Sequence, residues 1–418
     1  MRLWNDGIAN YPERPRGVLI LVENLSVPFD RRVWQEALAL KAAGYTVSVI
    51  CPRGSERDEG YEVLNGVHIH RYRPAREAQT PRGYVLEYGK ALLATFLLTW
   101  KVFLTRGFDV IHACNPPDLF FLIGAFFKVL GKKFVFDHHD IGPELYEAKF
   151  GRRDRIYRLL VLLEYLTFRL ADVSLATNRS YRDIAIERGR MPPSRVFVVR
   201  SGPSLERMRI LPPDVRLRRG RRFLVGYVGV MGEQEGVDGL LESVRYIVHD
   251  LKRRDVHFAL VGGGTSLEQM KALAQRLDVA EYVTFTGRAP DELMLRVLNT
   301  ADVCVNPDRA NAMNDKSTMN KIMEYMALGK PIVQFDLAEG RYSAQNASLY
   351  ARPGDTHDFA DKVLALLDDS EKRRLMGEFG RRRVLDQLEW RRQVPALLAA
   401  YASLWRREED REYETWAS

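Results

Sequence analysis

Short apolar runs alternate with helical segments along almost the whole of this 418-residue chain, in two successive series. That alternation admits few folds, because strand-helix-strand repeats build parallel sheets covered by helices. In the first series Gly17–Val22 reads as a strand and Asn24–Phe29 as its loop. Asp30 then caps a helix that ends at Ala43, before Gly44. Tyr45–Cys51 is the next strand. Asp109–Cys114, a helix over Asp118–Leu130, the stop Gly131 and the strand Lys133–Asp137 repeat the theme. Asp172–Ala176 and Arg195–Val199 read as the last strands of this half. The second series opens with strand Arg222–Val228, the turn Gly229–Gly236 and a helix over Val237–Asp250. Strand Val256–Val261, the triplet Gly262-Gly263-Gly264 and a helix to about Leu277 follow. Strand Tyr282–Phe285, helix Asp291–Asn299 and strand Asp302–Asn306 come next, and amphipathic helices fill Ser370 to about Arg407.

A chain of this length exceeds one ordinary core, so two domains are expected. The boundary falls in the proline- and arginine-rich segment 201–221, giving domains over 1–200 and 222–388. Ligands of open parallel sheets sit outside the carboxyl ends of the strands. The informative loops are therefore Asn24–Phe29, Asp137–Pro143, Gly229–Gly236, Gly262–Thr265 and Asp308–Thr318.

Composition excludes several classes. The chain is 46% hydrophobic and 28% charged, which is globular, and no fixed-period repeat is present. Three cysteines, Cys51, Cys114 and Cys304, lie in apolar runs without framework spacing, which predicts reduced thiols and a cytoplasmic setting. Met1–Glu13 lacks the apolar core of a signal peptide. The net charge of +8 lies wholly in residues 1–200, with 30 Lys and Arg against 22 Asp and Glu. An anionic partner is expected for that half, either a membrane surface or a phosphate-bearing acceptor. No aromatic-plus-basic signature points to nucleic acid. Gly262-Gly263-Gly264 is no dinucleotide fingerprint, because Leu267 stands where a third spaced glycine belongs.

The segment Asn320-Lys321-Ile322-Met323-Glu324-Tyr325-Met326-Ala327-Leu328-Gly329-Lys330-Pro331 carries the chemistry. It reads as a helix that starts near Ser317 and stops at Gly329. A helix start with Lys316 and Lys321 beside it suits a diphosphate. Glu324, one turn further in, suits a ribose diol, while a Lys321–Glu324 ion pair is the plain alternative. This segment resembles the donor-binding helix of family 4 retaining glycosyltransferases, whose usual form is Glu-x7-Glu followed by Ala-Met-Ala-x-Gly-x-Pro. Glu324 matches the second glutamate, and Lys316 replaces the first. A branch of bacterial polysaccharide-assembly transferases is similar here, with Lys-x-x-Glu-Tyr-Met-Ala.

The resemblance extends over about 300 residues, from Phe136-Asp137-His138-His139-Asp140 through Tyr227-Val228-Gly229, Leu260-Val261-Gly262-Gly263-Gly264 and Phe285-Thr286-Gly287-Arg288 to Ala301–Pro307. It implies a GT-B fold: α/β, with two Rossmann-like domains facing each other across a cleft, the last helix (about 389–407) returning to the first. It implies a nucleoside-diphosphate sugar donor, held by Gly229, Gly232, Gly263, Arg288, Lys316, Met319, Asn320, Lys321 and Glu324. His139 is placed near the anomeric centre, with Asp140 beside it and Asp137 as a further neighbour. Asp30, Arg31 and Arg32 are the candidates for the acceptor, a glycan or lipid-linked glycan, although Asp30 also reads as a cap. Retention follows from the resemblance alone, and no Asp-x-Asp metal dyad stands at the donor loops, so no cofactor or metal is expected. The loop Gly232-Glu233-Gln234-Glu235-Gly236 lacks the family's arginine and lysine, so Lys316 or Lys321 is expected to supply that charge.

A non-hydrolysing sugar-nucleotide epimerase and a catalytically silent scaffold remain as alternatives. Ala91–Leu104 is apolar but too short to span a bilayer. The basic cluster Arg152, Arg153, Arg155 and Arg158, continuing into Leu159–Leu163, fits an interfacial helix, and with it peripheral contact at the cytoplasmic face of the inner membrane.

Overall fold

The structure, a computed structural model, describes residues 15–55, 58–74 and 81–405. The expectations for Met1–Glu13, and for the last helix beyond 405, lie outside these residues. Two compact units are present: one holds residues up to Tyr146, Arg152–Val199 and the chain from Val394; the other holds Glu147–Gly151 and Arg200–Gln393.

The first unit is an eight-stranded sheet. Its strands are β1 (Gly17–Leu21), β2 (Thr46–Pro52), β3 (Tyr61–Leu64), β4 (Val67–Tyr72), β5 (Val110–Cys114), β6 (Lys133–His138), β7 (Val173–Ala176) and β8 (Val196–Val198). They lie in the order β3-β4-β2-β1-β5-β6-β7-β8. All pairs are parallel except β3 with β4. That hairpin is absent from the expectations, although its turn, Asn65-Gly66, carries the sequence signal. Both residues have positive φ, 49° and 78°, as a tight turn matched to strand twist requires. The strand order reverses at β1, so the ends of β1 and β5 flank the switch point where such sheets bind ligands.

The second unit is a six-stranded parallel sheet of β9 (Phe223–Val228), β10 (Val256–Val261), β11 (Val283–Phe285), β12 (Val303–Asn306), β13 (Ile332–Phe335) and β14 (Ser348–Ala351). The order is β11-β10-β9-β12-β13-β14, which puts its switch point between β9 and its neighbours.

The expected connector 201–221 belongs to the second unit. Met208 is buried, the Leu211 N–H donates to Asn299 Oδ1 at 2.9 Å and the Asp214 N–H donates to Thr300 Oγ1 at 2.8 Å. Two of its arginines meet acids, Arg207 on Asp291 and the exposed Arg216 on Asp214. The helix Trp390–Ser403 closes the described chain, and its Tyr401 hydroxyl lies 2.7 Å from His112 Nδ1 inside the first unit.

Candidate functional site

Each unit gathers polar residues at the carboxyl ends of its strands. In the second unit the key helix is Asn320–Ala327, which begins at Met319 without a side-chain cap. It starts three residues later than expected because the Ser317 hydroxyl donates back to the Met313 carbonyl at 2.7 Å, closing the short helix Ala312–Lys316. Glu324 and Lys321 do not pair with each other. Glu324 Oε1 accepts from Arg207 Nη1 at 2.7 Å, and Arg207 also grips Asp291 through Nε (2.6 Å) and Nη2 (3.0 Å). Lys321 Nζ donates to Asp308 Oδ1 at 2.9 Å and lies 5.1 Å from the Tyr227 ring centre.

Burial works against the charge of Lys321, but Asp308 and the neighbouring Tyr227 hold its ammonium above the ordinary lysine range. Its partner Asp308 is itself 1% exposed. Lys316 ends the preceding short helix. Arg309, just past β12, also lies against the glycine-rich loop. Its Nη2 reaches Asp238 at 2.5 Å, its Nη1 stands 3.5 Å from Glu233, and its N–H donates to the Gln234 carbonyl at 3.1 Å.

Backbone contacts stack the strand-end loops. The Gly229 N–H donates to Val261, the Met231 N–H to Gly263 and the Gly262 N–H to Gly287, at 3.0, 2.9 and 3.1 Å. Gly262 has φ 140°, and a side chain there would overlap the Gly229 carbonyl oxygen, so only glycine permits this approach. The Gly232 N–H donates to Glu235 Oε2 at 3.1 Å. Arg288 and Asn320 are exposed at this end of the sheet. Behind them, the fully buried Tyr325 hydroxyl accepts from the Val228 N–H (2.9 Å) and donates to the Val305 carbonyl (3.2 Å), pinning the ends of β9 and β12 to the helix that carries Glu324.

In the first unit Arg32 is the hub. The expectation that it meets an acceptor phosphate fails, because it is 7% exposed and fully engaged. Its Nε and Nη2 bind Asp137 at 3.0 and 2.7 Å, and its Nη1 donates to the Val199 carbonyl at 2.7 Å. Asp30 is the helix cap, accepting from the Val33 N–H at 3.1 Å, and Arg31 is exposed on the first turn. His139 Nε2 lies 2.5 Å from Asp137 Oδ2 and 2.9 Å from Arg32 Nε. A ring N–H that donates to Asp137 cannot also accept from Arg32, so the carboxylate is the acceptor both share. Burial alone would raise the Asp137 carboxyl; Arg32 and His139 hold it well below the usual range. Glu36 is the reverse case. Burial raises its carboxyl well above the usual value, and neither oxygen accepts a hydrogen bond, although Oε1 lies 3.0 Å from Arg32 Nη2.

Asn115, at the end of β5, went unnoticed in the sequence. Its Oδ1 accepts from the N–H groups of His139 (2.6 Å) and Asp140 (3.1 Å), and its Nδ2 donates to the Asp140 carbonyl at 2.7 Å. It therefore sets where the His139 ring stands. Burial raises the Asp140 carboxyl. His138 is structural: it is fully buried, with Nε2 3.2 Å from Glu164 and Phe168 across its ring. Two groupings of potential metal ligands, His112–Cys114–Asp137 and Glu36–Asp137–His139, share Asp137. Both oxygens of Asp137 already carry Arg32, so a cation bound there would face a guanidinium.

Sequence comparison matches residues 222–369 to the glycosyl transferases group 1 and residues 30–207 to glycosyltransferase family 4, which together span most of the chain. A curated relative is the GDP-mannose-dependent alpha-(1-6)-phosphatidylinositol monomannoside mannosyltransferase of Mycolicibacterium smegmatis, 31% identical over 206 residues, covering 45% of this chain and 52% of that one. The chain spans about half the length of the curated relatives it matches. Among solved structures, sucrose-phosphate synthase from Thermosynechococcus elongatus superposes with a TM-score of 0.76 at 18% identity, covering 94% of this chain and 99% of the other. Anabaena Alr3699/HepE in complex with UDP and glucose gives 0.70 at 15% identity, covering 92% and 99%.

Proposed function

Because this chain belongs to the family 4 glycosyltransferases and has their GT-B form, we propose that it moves a sugar from a nucleoside-diphosphate donor to a lipid-linked or polysaccharide acceptor. The transfer retains the anomeric configuration and uses no metal ion. The observation that carries this reading is Glu324, held by Arg207 one turn inside a helix whose cap residue, Met319, makes no side-chain capping hydrogen bond. Amides at that helix start favour an anion, and the carboxylate accepts the hydroxyls of a ribose. Lys321 and Arg309 are the cations beside the glycine-rich loop, each with an acidic partner, and Tyr325 keeps both strand ends in place. The solved HepE complex, which contains UDP and glucose, and the mannosyltransferase, whose name gives GDP-mannose as its donor, support a nucleotide-sugar donor. The mannosyltransferase, whose name gives a phosphatidylinositol mannoside as its acceptor, supports a lipid-borne one.

In the first unit Asp137, fixed by Arg32, orients His139 toward the transferred sugar. The bidentate hold of Arg32 on Asp137 supports a mechanism without a metal, because it fills the oxygens a cation would need. The enzyme works at the cytoplasmic face of the inner membrane, held there peripherally.

The test incubates purified protein with UDP- and GDP-sugars, with and without a bacterial lipid extract, and measures nucleoside diphosphate release. Release that requires the extract and disappears in Glu324→Ala supports transfer. Epimerised donor without any acceptor would replace this reading with an epimerase, and absence of all turnover and nucleotide binding with a scaffold.

A further inference from the structure

Three neighbouring helices of the first unit turn apolar side chains outward. They span Pro81–Thr105, Phe121–Val129 and Arg155–Leu170. The Trp100 and Phe126 rings meet at 5.5 Å, and Lys128 Nζ donates to the Leu170 carbonyl at 2.7 Å, so the three lie side by side on one layer. The outward positions of the first are Leu93, Leu97 and Leu104, the last 75% exposed. Those of the second are Leu122, Phe126 and Val129, the last 87% exposed. The third presents Leu159, Leu162 and Leu166, each between 36% and 51% exposed. These spacings of three, four and seven follow helical periodicity, so each helix carries an apolar stripe on the face where water-exposed helices are polar. Scattered exposed leucines need no explanation, but three aligned stripes on adjacent helices do.

Charge decides what covers them. Among the described residues 87–146 and 152–170, the most exposed charged side chains are lysines and arginines; Asp154, one-third exposed, caps the third helix and pairs with Arg152. Arg155, Arg158 and Arg169 alternate with the leucines of the third helix, and Lys101 stands between Leu97 and Leu104. Among the described residues no helix is long and apolar enough to cross a membrane. We propose that the outer face of these three helices is a docking surface for an anionic lipid bilayer, with the leucines in the interface and the cations on the headgroups. A second copy of this chain fits the stripes but not the charge, since pairing the face with itself sets cation against cation. An anionic bilayer satisfies both. The inference rests on the proposed function for its membrane setting, and the experiment reads the two separately.

The test is flotation with vesicles of phosphatidylcholine, alone or with about one-third phosphatidylglycerol. The expected result is binding to the anionic vesicles only, released when salt rises from about 0.1 M to about 1 M and the screening length falls from about 10 Å to about 3 Å. The triple substitution Leu97→Ser, Leu122→Ser and Leu159→Ser should lower the bound fraction at least about tenfold, since each leucine withdraws an apolar side chain from the interface. Arg155→Gln with Arg158→Gln should weaken binding to the anionic vesicles. Unchanged binding by the leucine variant, or no binding at low salt, overturns the proposal. So does a concentration-dependent dimer that the leucine variant abolishes, which would give the face to a second copy. Nucleotide-induced stabilisation, measured on the same samples, should persist in all variants; its absence would count against the donor reading and leave the docking face standing.

Discussion

Replacing Asp137 by asparagine keeps the shape of the side chain and removes its charge, which exposes how the first unit balances the buried Arg32. Two carboxyls face that guanidinium: Asp137 with two direct hydrogen bonds, Glu36 with Oε1 at 3.0 Å and none. One positive charge needs one negative partner, and the opposed shifts of the two acids favour Asp137, with Glu36 the more readily protonated of the two. Breaking a buried pair outright costs about 3–5 kcal/mol. In Asp137→Asn, Glu36 is placed to ionise and take over, so the loss should shrink to about 2 kcal/mol, the scale of charged hydrogen bonds. Glu36→Gln alone should cost less than about 1 kcal/mol, because Glu36 makes no direct hydrogen bond to Arg32 and is the more readily protonated acid. The double variant removes both carboxyls that face Arg32 and should lose about 4 kcal/mol, the middle of that range, which exceeds the sum of the single losses by about 1 kcal/mol. In a unit of this size 1 kcal/mol moves the melting temperature by about 2–4 °C. Thermal melts of the three variants should therefore show drops of about 2 °C for Glu36→Gln, about 6 °C for Asp137→Asn and more than about 10 °C for the pair. A Glu36→Gln drop as large as that of Asp137→Asn, or strict additivity, would refute the assignment. The depressed Asp137 contributes stability that is present above its unfolded value near about 4 and is lost as pH falls through its folded one.

Tyr325→Phe removes the hydroxyl that the Val228 N–H and Val305 carbonyl share, and should cost the second unit about 1–3 kcal/mol, read as a drop in its melting temperature. Arg207→Ala leaves Glu324 and Asp291 without their shared arginine contacts, and should weaken nucleotide binding by about 5- to 30-fold in calorimetric titration, an effect of about 1–2 kcal/mol. Burial and the nearby Glu164 push the Asp118 carboxyl up to about 7. The folded state thus holds that proton more tightly than the unfolded one, so stability falls as pH rises from about 4 to about 7. Asp118→Asn, which stays neutral, should lose less melting temperature than the parent between about pH 5 and about pH 8, by at least about 2 °C.

The alternation of strands and helices was legible because each parallel strand is buried on both faces and reads as an apolar run closed by glycine. The β3–β4 hairpin was missed although Asn65-Gly66 marks it, since Tyr61–Leu64 is an edge strand with exposed Tyr61 and Val63 and so lacks that apolar run. Ionic partners were the least legible part. Lys321 and Glu324 are three apart on one helix, and spacing alone suggests a pair; tertiary packing brings Asp308 to one and Arg207 to the other, from 13 and 117 residues away. Arg32 reads as a solvated arginine at a helix start until β6 delivers Asp137 beside it. Asn115 and Arg309 act through positions at strand ends, where the residue type carries a signal but the target of its hydrogen bonds does not.

The most direct test of donor binding in the second unit is thermal-shift titration of the purified protein with UDP, GDP, ADP and dTDP, alongside Glu324→Ala. A ligand at about 100 times its dissociation constant stabilises by about 2.7 kcal/mol. Selective stabilisation by one nucleotide, lost in Glu324→Ala, is the predicted result and names the base. Equal stabilisation of the variant would contradict the role given to Glu324, and no response to any nucleotide would contradict the donor site itself.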